Sequence, residues 1–205
     1  TIICHLKSMF TFPGTVSKEY INNNQNNSNV CKKCNIPRPE RAHHCKICKF
    51  CILKFDHHCP WINTCIGYFN RKFFMQMLFY LVVLLYFSIF INFKFFYEVL
   101  ILLYHNSFRL NIFIESFGVI FIYILDIVAC FILTMFFKFH VTLVLENKST
   151  IETIDKKGEY FESQYDLGYL NNFHQVMGIN KLLWFIPIKA NSGDPIGNGI
   201  DWGIK

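Results

Sequence analysis

Polar and apolar positions along these 205 residues are segregated into blocks rather than interleaved. Residues 22–72 are polar and rich in Cys, Lys and Arg, whereas residues 73–145 are almost continuously apolar. Residues 73–91 form a run of 19 with only Gln76 and Ser88 as polar breaks; residues 117–137 form a run of 21 with one acidic interruption, Asp126. At 1.5 Å rise per residue each run is about 30 Å long, the thickness of a bilayer's hydrocarbon core. A soluble chain of this size has too little other material to bury two such helices. The pattern therefore predicts two membrane-spanning helices and one compact polar module. Residues 93–104 are also apolar but carry Lys94 and Glu98, and read as the exit of the first span.

Charge adds an orientation. Residues 1–72 hold 11 Lys/Arg and residues 138–205 hold 7, while residues 92–116 hold only Lys94 and Arg109. Basic residues collect on the cytosolic side of membrane proteins, so the polar module and the C-terminal tail are expected to share that side. The net charge of +6 is then explained by orientation and by attraction to acidic headgroups or phosphates, and no nucleic-acid partner is expected.

The polar module supplies the candidate chemistry. It reads Cys31-x2-Cys34, then His43-His44-Cys45-x2-Cys48-x2-Cys51, then Asp56-His57-His58-Cys59, then Cys65. Two residues between cysteines let both sulfurs converge on one tetrahedral ion, and a reducing cytosol favours metal over disulfides. Two closed tetrahedral sites take eight ligands, and the module offers seven Cys and four His. Adjacent side chains in an extended segment point to opposite faces, so His43/His44 and His57/His58 can each supply one ligand. One Cys is then left over. Cys59 is the favoured choice, because an imidazole two residues before it and a carboxylate next to that could hold it as a thiolate. Spacing also admits the alternative in which Cys59 binds metal and Cys65 is spare.

The run over residues 31–67, "CKKCNIPRPERAHHCKICKFCILKFDHHCPWINTCIG", resembles the cysteine-rich domain of the DHHC protein S-acyltransferases, which move palmitate from acyl-CoA to protein cysteines. Outside it, "TFPG" at 11–14 is similar to the family's Asp-Pro-Gly motif with Phe12 in place of the acid. "STIE" at 149–152 is similar to its Thr-Thr-x-Glu motif with Ser first, and "NFHQVMG" at 172–178 is similar to its C-terminal motif.

By this resemblance, one structural zinc would be held by Cys31, Cys34, His44 and Cys51, and a second by Cys45, Cys48, His58 and Cys65. Cys59 would be the nucleophile, His57 its base and Asp56 the orienting acid. If the chain is such an enzyme, Trp61, close to Cys59, could cover the site near the interface. Phe74, Met77 and Leu84, at helical spacing, could line a place for the acyl chain or simply pack. Arg41, with Lys32, Lys33 and Arg38, could meet CoA phosphates or serve as positive-inside anchors.

The expected fold class is an integral membrane all-α bundle, two transmembrane helices in this chain, with a small cytosolic Cys/His-rich zinc-binding domain of short strands and loops. The expected order is a membrane-proximal segment with an Asn-rich insert (1–30), the zinc domain (31–72), two transmembrane helices joined by a non-cytosolic loop near 92–116 (73–140), and a cytosolic tail (141–205). Four membrane helices are usual in such enzymes, so the chain reads as a fragment lacking the first ones.

The implied activity is palmitoyl transfer through a Cys59 thioester to membrane-associated proteins with cytosolic cysteines, in the Golgi, ER or plasma membrane. The alternative is a non-catalytic, zinc-stabilised membrane adaptor.

Overall fold

A computed structural model describes residues 1–105, 110–156, 161–189 and 195–204. Its contacts divide the chain into two units, Thr1–Met77 with His140–Lys205, and Leu78–Phe139.

The first unit begins with helix α1 (Ile2–Phe10), followed by the stretch containing Pro13 and Gly14. Gly14 has φ +101°, and a Cβ there would lie 2.9 Å from the Phe69 ring. The turn thus needs glycine for conformation and for space. Phe12 is exposed and stacks on Phe50 at 6.1 Å between ring centroids.

Helix α2 (Lys18–Asn23) leads into the Asn-rich stretch, which is organised by side-chain hydrogen bonds. Asn27 Oδ1 accepts the Asn29 N–H at 2.8 Å, Asn27 Nδ2 donates to the Tyr20 hydroxyl at 3.3 Å, and Arg38 donates to Asn29 Oδ1 at 3.0 Å. An Asn side chain accepting a backbone N–H two residues on is the usual way such a residue closes a turn.

Three antiparallel hairpins follow among the described residues: β1 (Val30–Cys31) with β2 (Ile36–Pro37), β3 (His43–His44) with β4 (Cys51–Ile52), and β5 (His57–Cys59) with β6 (Thr64–Ile66). The C-x-x-C turns of the first two hairpins close alike. Asn35 and Lys49 take φ of +54° and +66°, and their N–H groups donate to the Cys31 and Cys45 carbonyls at 2.8 Å. Apolar support is modest. One cluster comprises Val16, Ala42, Leu53 and Tyr68 with Cys31 and Cys51; another comprises Ile52 and Phe55 with Cys45 and Cys65.

Helix α3 (Arg71–His105) and helix α4 (Leu110–Leu145) are 35 and 36 residues long, longer than the two apolar runs. The segment expected as a loop is helical to His105 and again from Leu110, while residues 106–109 lie outside the described residues. The helix persists because residues 93–104 contain no Gly or Pro and Lys94 and Glu98 form an i,i+4 pair at 3.8 Å.

Both helices are apolar and long enough to cross a membrane. In the second unit they expose large apolar side chains such as Phe90, Leu84, Phe131 and Ile132, as lipid-facing helices do. Within that unit Ser88 donates to Asp126 Oδ2 at 2.8 Å, and Phe96 stacks on Tyr123 at 4.2 Å. Asp126 is thus hydrogen-bonded inside the helix pair.

After α4, the first unit resumes with α5 (Thr150–Asp155), α6 (Tyr169–Met177) and a 3-10 turn (Lys181–Trp184). Gln76 of α3 donates to the backbone carbonyls of Trp184 and Ile186 at 3.0 and 3.1 Å.

Candidate active site and metal centres

Strand register builds the metal clusters. His44 lies opposite Cys51 and His58 opposite Cys65, and paired residues of two strands share a face. The turn cysteines of one hairpin meet the base of the next, giving the groups Cys31–Cys34–His44–Cys51 and Cys45–Cys48–His58–Cys65.

A tetrahedron with metal–sulfur bonds of about 2.3 Å and metal–nitrogen bonds of about 2.0–2.1 Å has S···S edges of about 3.8 Å and S···N edges of about 3.5 Å. In the first group Cys34 Sγ is 3.8 Å from Cys51 Sγ and 3.1 Å from His44 Nδ1. In the second, Cys45, Cys48 and Cys65 lie 3.7, 3.4 and 3.6 Å from His58 Nδ1, and Cys48 and Cys65 lie 3.4 Å apart. Both groups fit zinc, with all four positions taken by protein.

The same strand makes the other site. Along β5, His58 faces the second cluster, so alternation turns His57 and Cys59 together to the opposite face. Cys59 belongs to neither group of four. His57 Nδ1 donates to Asp56 Oδ2 at 2.8 Å, and the same ring is close enough to the Cys59 thiol to act on its acidity.

Asp56 is fully buried and richly served. Thr150 gives its backbone N–H to Oδ1 and its hydroxyl to Oδ2, both at 2.9 Å, and the Arg71 guanidinium stands 3.3 Å from Oδ1. Thr150 opens α5, where Ser149 and Glu152 form a capping box. The box satisfies the Ser149 and Glu152 N–H groups and leaves that of Thr150 for the carboxylate.

Asp56, His57 and His140 also lie close enough together to suggest a third metal group. A cation is disfavoured there, because both carboxylate oxygens already accept hydrogen bonds and a guanidinium beside them repels positive charge. This corner is a hydrogen-bonded relay.

The electrostatics follow from these partners. Burial alone would raise the Asp56 carboxyl, but Arg71 and the His57 hydrogen bond hold it well below the usual carboxylate range. Burial would lower His57; the Asp56 bond and the Cys59 thiolate overcome it, and the imidazole is pushed up to about 9. Burial would raise Cys59, yet the His57 bond and charge and the Ile62 and Trp61 backbone groups pull the thiol below its ordinary value. The two shifts together favour a thiolate beside an imidazolium, the form in which a cysteine sulfur is nucleophilic.

The remaining expected residues have definite places. Trp61 follows the nucleophile strand and is 86% exposed, available to whatever approaches Cys59. Phe74 is buried and meets the His57 ring edge-on at 5.3 Å. Met77 is also buried, whereas Leu84 is 52% exposed.

Arg41 has another occupation than the expected phosphate contact. It is 2% exposed, grips both Glu152 oxygens at 2.7 and 2.8 Å, and donates to Asn147 Oδ1 and O at 2.9 and 2.8 Å. Tyr165 and Trp202 lie over its guanidinium at 4.3 and 4.8 Å. It therefore ties the zinc module to α5.

Sequence reasoning passed over Arg71, His140 and Asn147. Asn147 is the acceptor shared by Arg41 and Lys54, each at 2.9 Å, while its amide donates to Tyr165 O and Gln175 Oε1 at 2.7 and 2.8 Å. It sits just before the capping box with φ +49°, and an Asn there was the available signal. Asn172, singled out by the C-terminal motif, donates to Leu145 O at 2.6 Å and accepts the Leu167 N–H, fastening the tail to the end of α4.

Comparison with known proteins agrees with this geometry. The family described as DHHC palmitoyltransferase matches residues 24–157. Palmitoyltransferase ZDHHC15 of Rattus norvegicus is 35% identical over 173 residues, covering 80% of this chain and 48% of the relative. Palmitoyltransferase ZDHHC2 of Homo sapiens is 34% identical, with 80% and 44% covered. Palmitoyltransferase ZDHHC2 of Danio rerio is 35% identical over 184 residues, with 80% and 45% covered. The chain spans about half the length of the curated relatives it matches. Matched across its whole Cys/His module and well into the segments that flank it, this chain belongs to the DHHC palmitoyltransferase family.

Proposed function

We propose that the chain is a protein S-acyltransferase working through an acyl-Cys59 thioester, with palmitoyl-CoA as donor and cysteines of membrane-associated proteins as acceptors. The observation that supports it most is the two-faced strand β5, which turns His58 toward a metal cluster while putting Cys59 on the same face as His57, the ring hydrogen-bonded to Asp56.

In the first step Cys59 Sγ attacks the thioester carbonyl of acyl-CoA. The new carbon–sulfur bond forms, the bond to CoA sulfur breaks, and the leaving thiolate takes the proton held by His57. In the second step His57 accepts the proton of the incoming protein thiol. That sulfur attacks the acyl-Cys59 carbonyl, and Cys59 leaves as the thiolate paired with the imidazolium. One thioester replaces another at each step, so the protein need supply little driving force; it supplies a thiolate, a base and proximity. Asp56 holds the imidazole in one tautomer and orientation, as the carboxylate of a catalytic triad does.

Two zinc ions would be held by the groups of four described above. With no open ligand position they are structural, each contributing about 10 kcal/mol or more to a module with small apolar clusters. Trp61 would flank the incoming thioester, and Phe74, behind His57, would bound the acyl end. Arg41 is not carried forward as a phosphate contact. The 18 Lys/Arg outside the inter-helix segment, against two within it, support a cytosolic zinc domain and tail on an endomembrane (Golgi or ER) or the plasma membrane.

The test is acylation of purified full-length protein with a clickable palmitoyl-CoA, reading a hydroxylamine-labile label. A label lost in Cys59→Ser and kept in Cys4→Ser supports the transferase. A label indifferent to Cys59→Ser leaves a zinc-stabilised membrane adaptor.

A further inference from the structure

We infer that His140 is a positioning residue for the nucleophile's base, acting through Asp56 and Phe74 to hold the His57 ring toward Cys59; the inference rests on the acyl-transfer reading above.

His140 lies near the end of α4, and its side chain is 1% exposed. Its Nδ1 stands 3.8 Å from Asp56 Oδ2, the oxygen that also receives the His57 Nδ1–H at 2.8 Å and the Thr150 hydroxyl at 2.9 Å. The two imidazoles are 5.6 Å apart and tilted by 38°. Phe74 meets both in edge contacts, at 5.3 Å from His57 and 5.0 Å from His140.

The carboxylate is therefore enclosed by α5 through Thr150, by α3 through Arg71, by its neighbour His57, and by α4 through His140. On the α4 side the wall is a polar ring where any apolar residue would have filled the space. An apolar wall would put hydrocarbon against Oδ2 and leave its position to the His57 and Thr150 bonds alone. A ring nitrogen at 3.8 Å keeps that side polar without adding a hydrogen bond to Oδ2. A nitrogen on that side lets Asp56 stay where Thr150 and His57 place it. His140 works at one remove, through the carboxylate and the Phe74 ring that fix the base.

The experiment compares full-length wild-type protein with His140→Phe, which keeps a ring without nitrogens, and His140→Asn, whose amide can occupy the Nδ1 position. Acyl-enzyme formation from palmitoyl-CoA is followed in single turnover over a range of donor concentration, with zinc content and melting measured alongside. His140→Leu carries the same test if the larger Phe overpacks the site and unfolds the protein.

The expected result is a fall of about ten- to a hundredfold in the saturating rate for His140→Phe, as for a misplaced catalytic group. Half-saturation by donor should stay within about twofold and zinc should be retained, because an effect on orientation leaves donor binding alone. His140→Asn should recover most of the rate. A wild-type rate in the folded apolar variant overturns the inference, and so does a His140→Asn variant as slow as His140→Phe. If wild-type protein itself shows no Cys59-dependent label, it is the transferase reading that has failed.

Discussion

The metal clusters and the corner around Cys59 are built from the same residue types, and β5 contributes to both. In the clusters, sulfurs and a ring nitrogen converge with edges of 3.4–3.7 Å around the second centre and no carboxylate among them. In the corner, a Cys shares its face with a His, and that His is backed by a buried carboxylate held by a hydroxyl, a backbone N–H and a guanidinium. What a Cys or His does here is decided by its partners. Surrounded by three soft donors it closes a tetrahedron; backed by an anion it becomes one half of an ion pair.

Replacing one cysteine by serine in each region should have the largest effects, and opposite ones. Cys59→Ser should abolish the hydroxylamine-labile label while zinc stays at the two equivalents expected from the two groups. Cys65→Ser, on the partner strand, should lose zinc from the second group and with it much of the module's stability, since structural zinc contributes about 10 kcal/mol or more. If zinc fell in Cys59→Ser, that thiol would be a ligand and the two regions would not differ.

Asp56→Asn tests the corner through its anion. The His57 bond would remain in shape but the charge would go, and acyl-enzyme formation should drop by about 10²–10⁴-fold, as when the carboxylate of a triad is neutralised. The sign with pH is defined. With the Cys59 thiol lowered and His57 raised to about 9, Cys59-specific alkylation by iodoacetamide should set in at lower pH than that of an ordinary thiol and decline as pH falls through the lowered thiol value. In Asp56→Asn the imidazolium is less favoured, so the onset should move to higher pH. An unmoved onset would mean that Asp56 does not act through His57.

Glu152→Ala is expected to come next in size. It strips both carboxylate partners from a buried Arg41, and breaking such a pair from one side costs about 3–5 kcal/mol. A melting curve should shift down with zinc still bound. Ser149→Ala is the mildest: it removes one half of the capping box, at about 1 kcal/mol, with a small loss of acylation because α5 also aims the Thr150 donors. A loss as large as that of Glu152→Ala would show that the cap, rather than the Arg41 clamp, sets the position of α5.

Much of this was legible in the residues. The two apolar runs announced their helices, although helix continued beyond both ends of the first run because nothing in residues 93–104 breaks it. The capping-box spacing of Ser149 and Glu152 was readable, and the DHHC motif directed attention to Asp56, His57 and Cys59. Arg41 was misjudged because a cation in a basic stretch gives no sign of being buried. Its partners, Glu152 and Asn147, lie more than a hundred residues away. Arg71, His140 and Thr150 converge on Asp56 from three different helices, and no spacing rule relates them.

Composition and spacing by themselves determined that this chain enters a membrane, that it carries ligands for two tetrahedral metals, and that one cysteine is surplus. They left open whether that cysteine is Cys59 or Cys65. Strand pairing decided the placement: the β5–β6 register sets Cys65 against His58 and Cys59 against Thr64, and side-chain alternation sends neighbours to opposite faces. The electrostatics also needed the tertiary structure, because a carboxylate can raise a histidine only where distant donors keep it buried, charged and in one place.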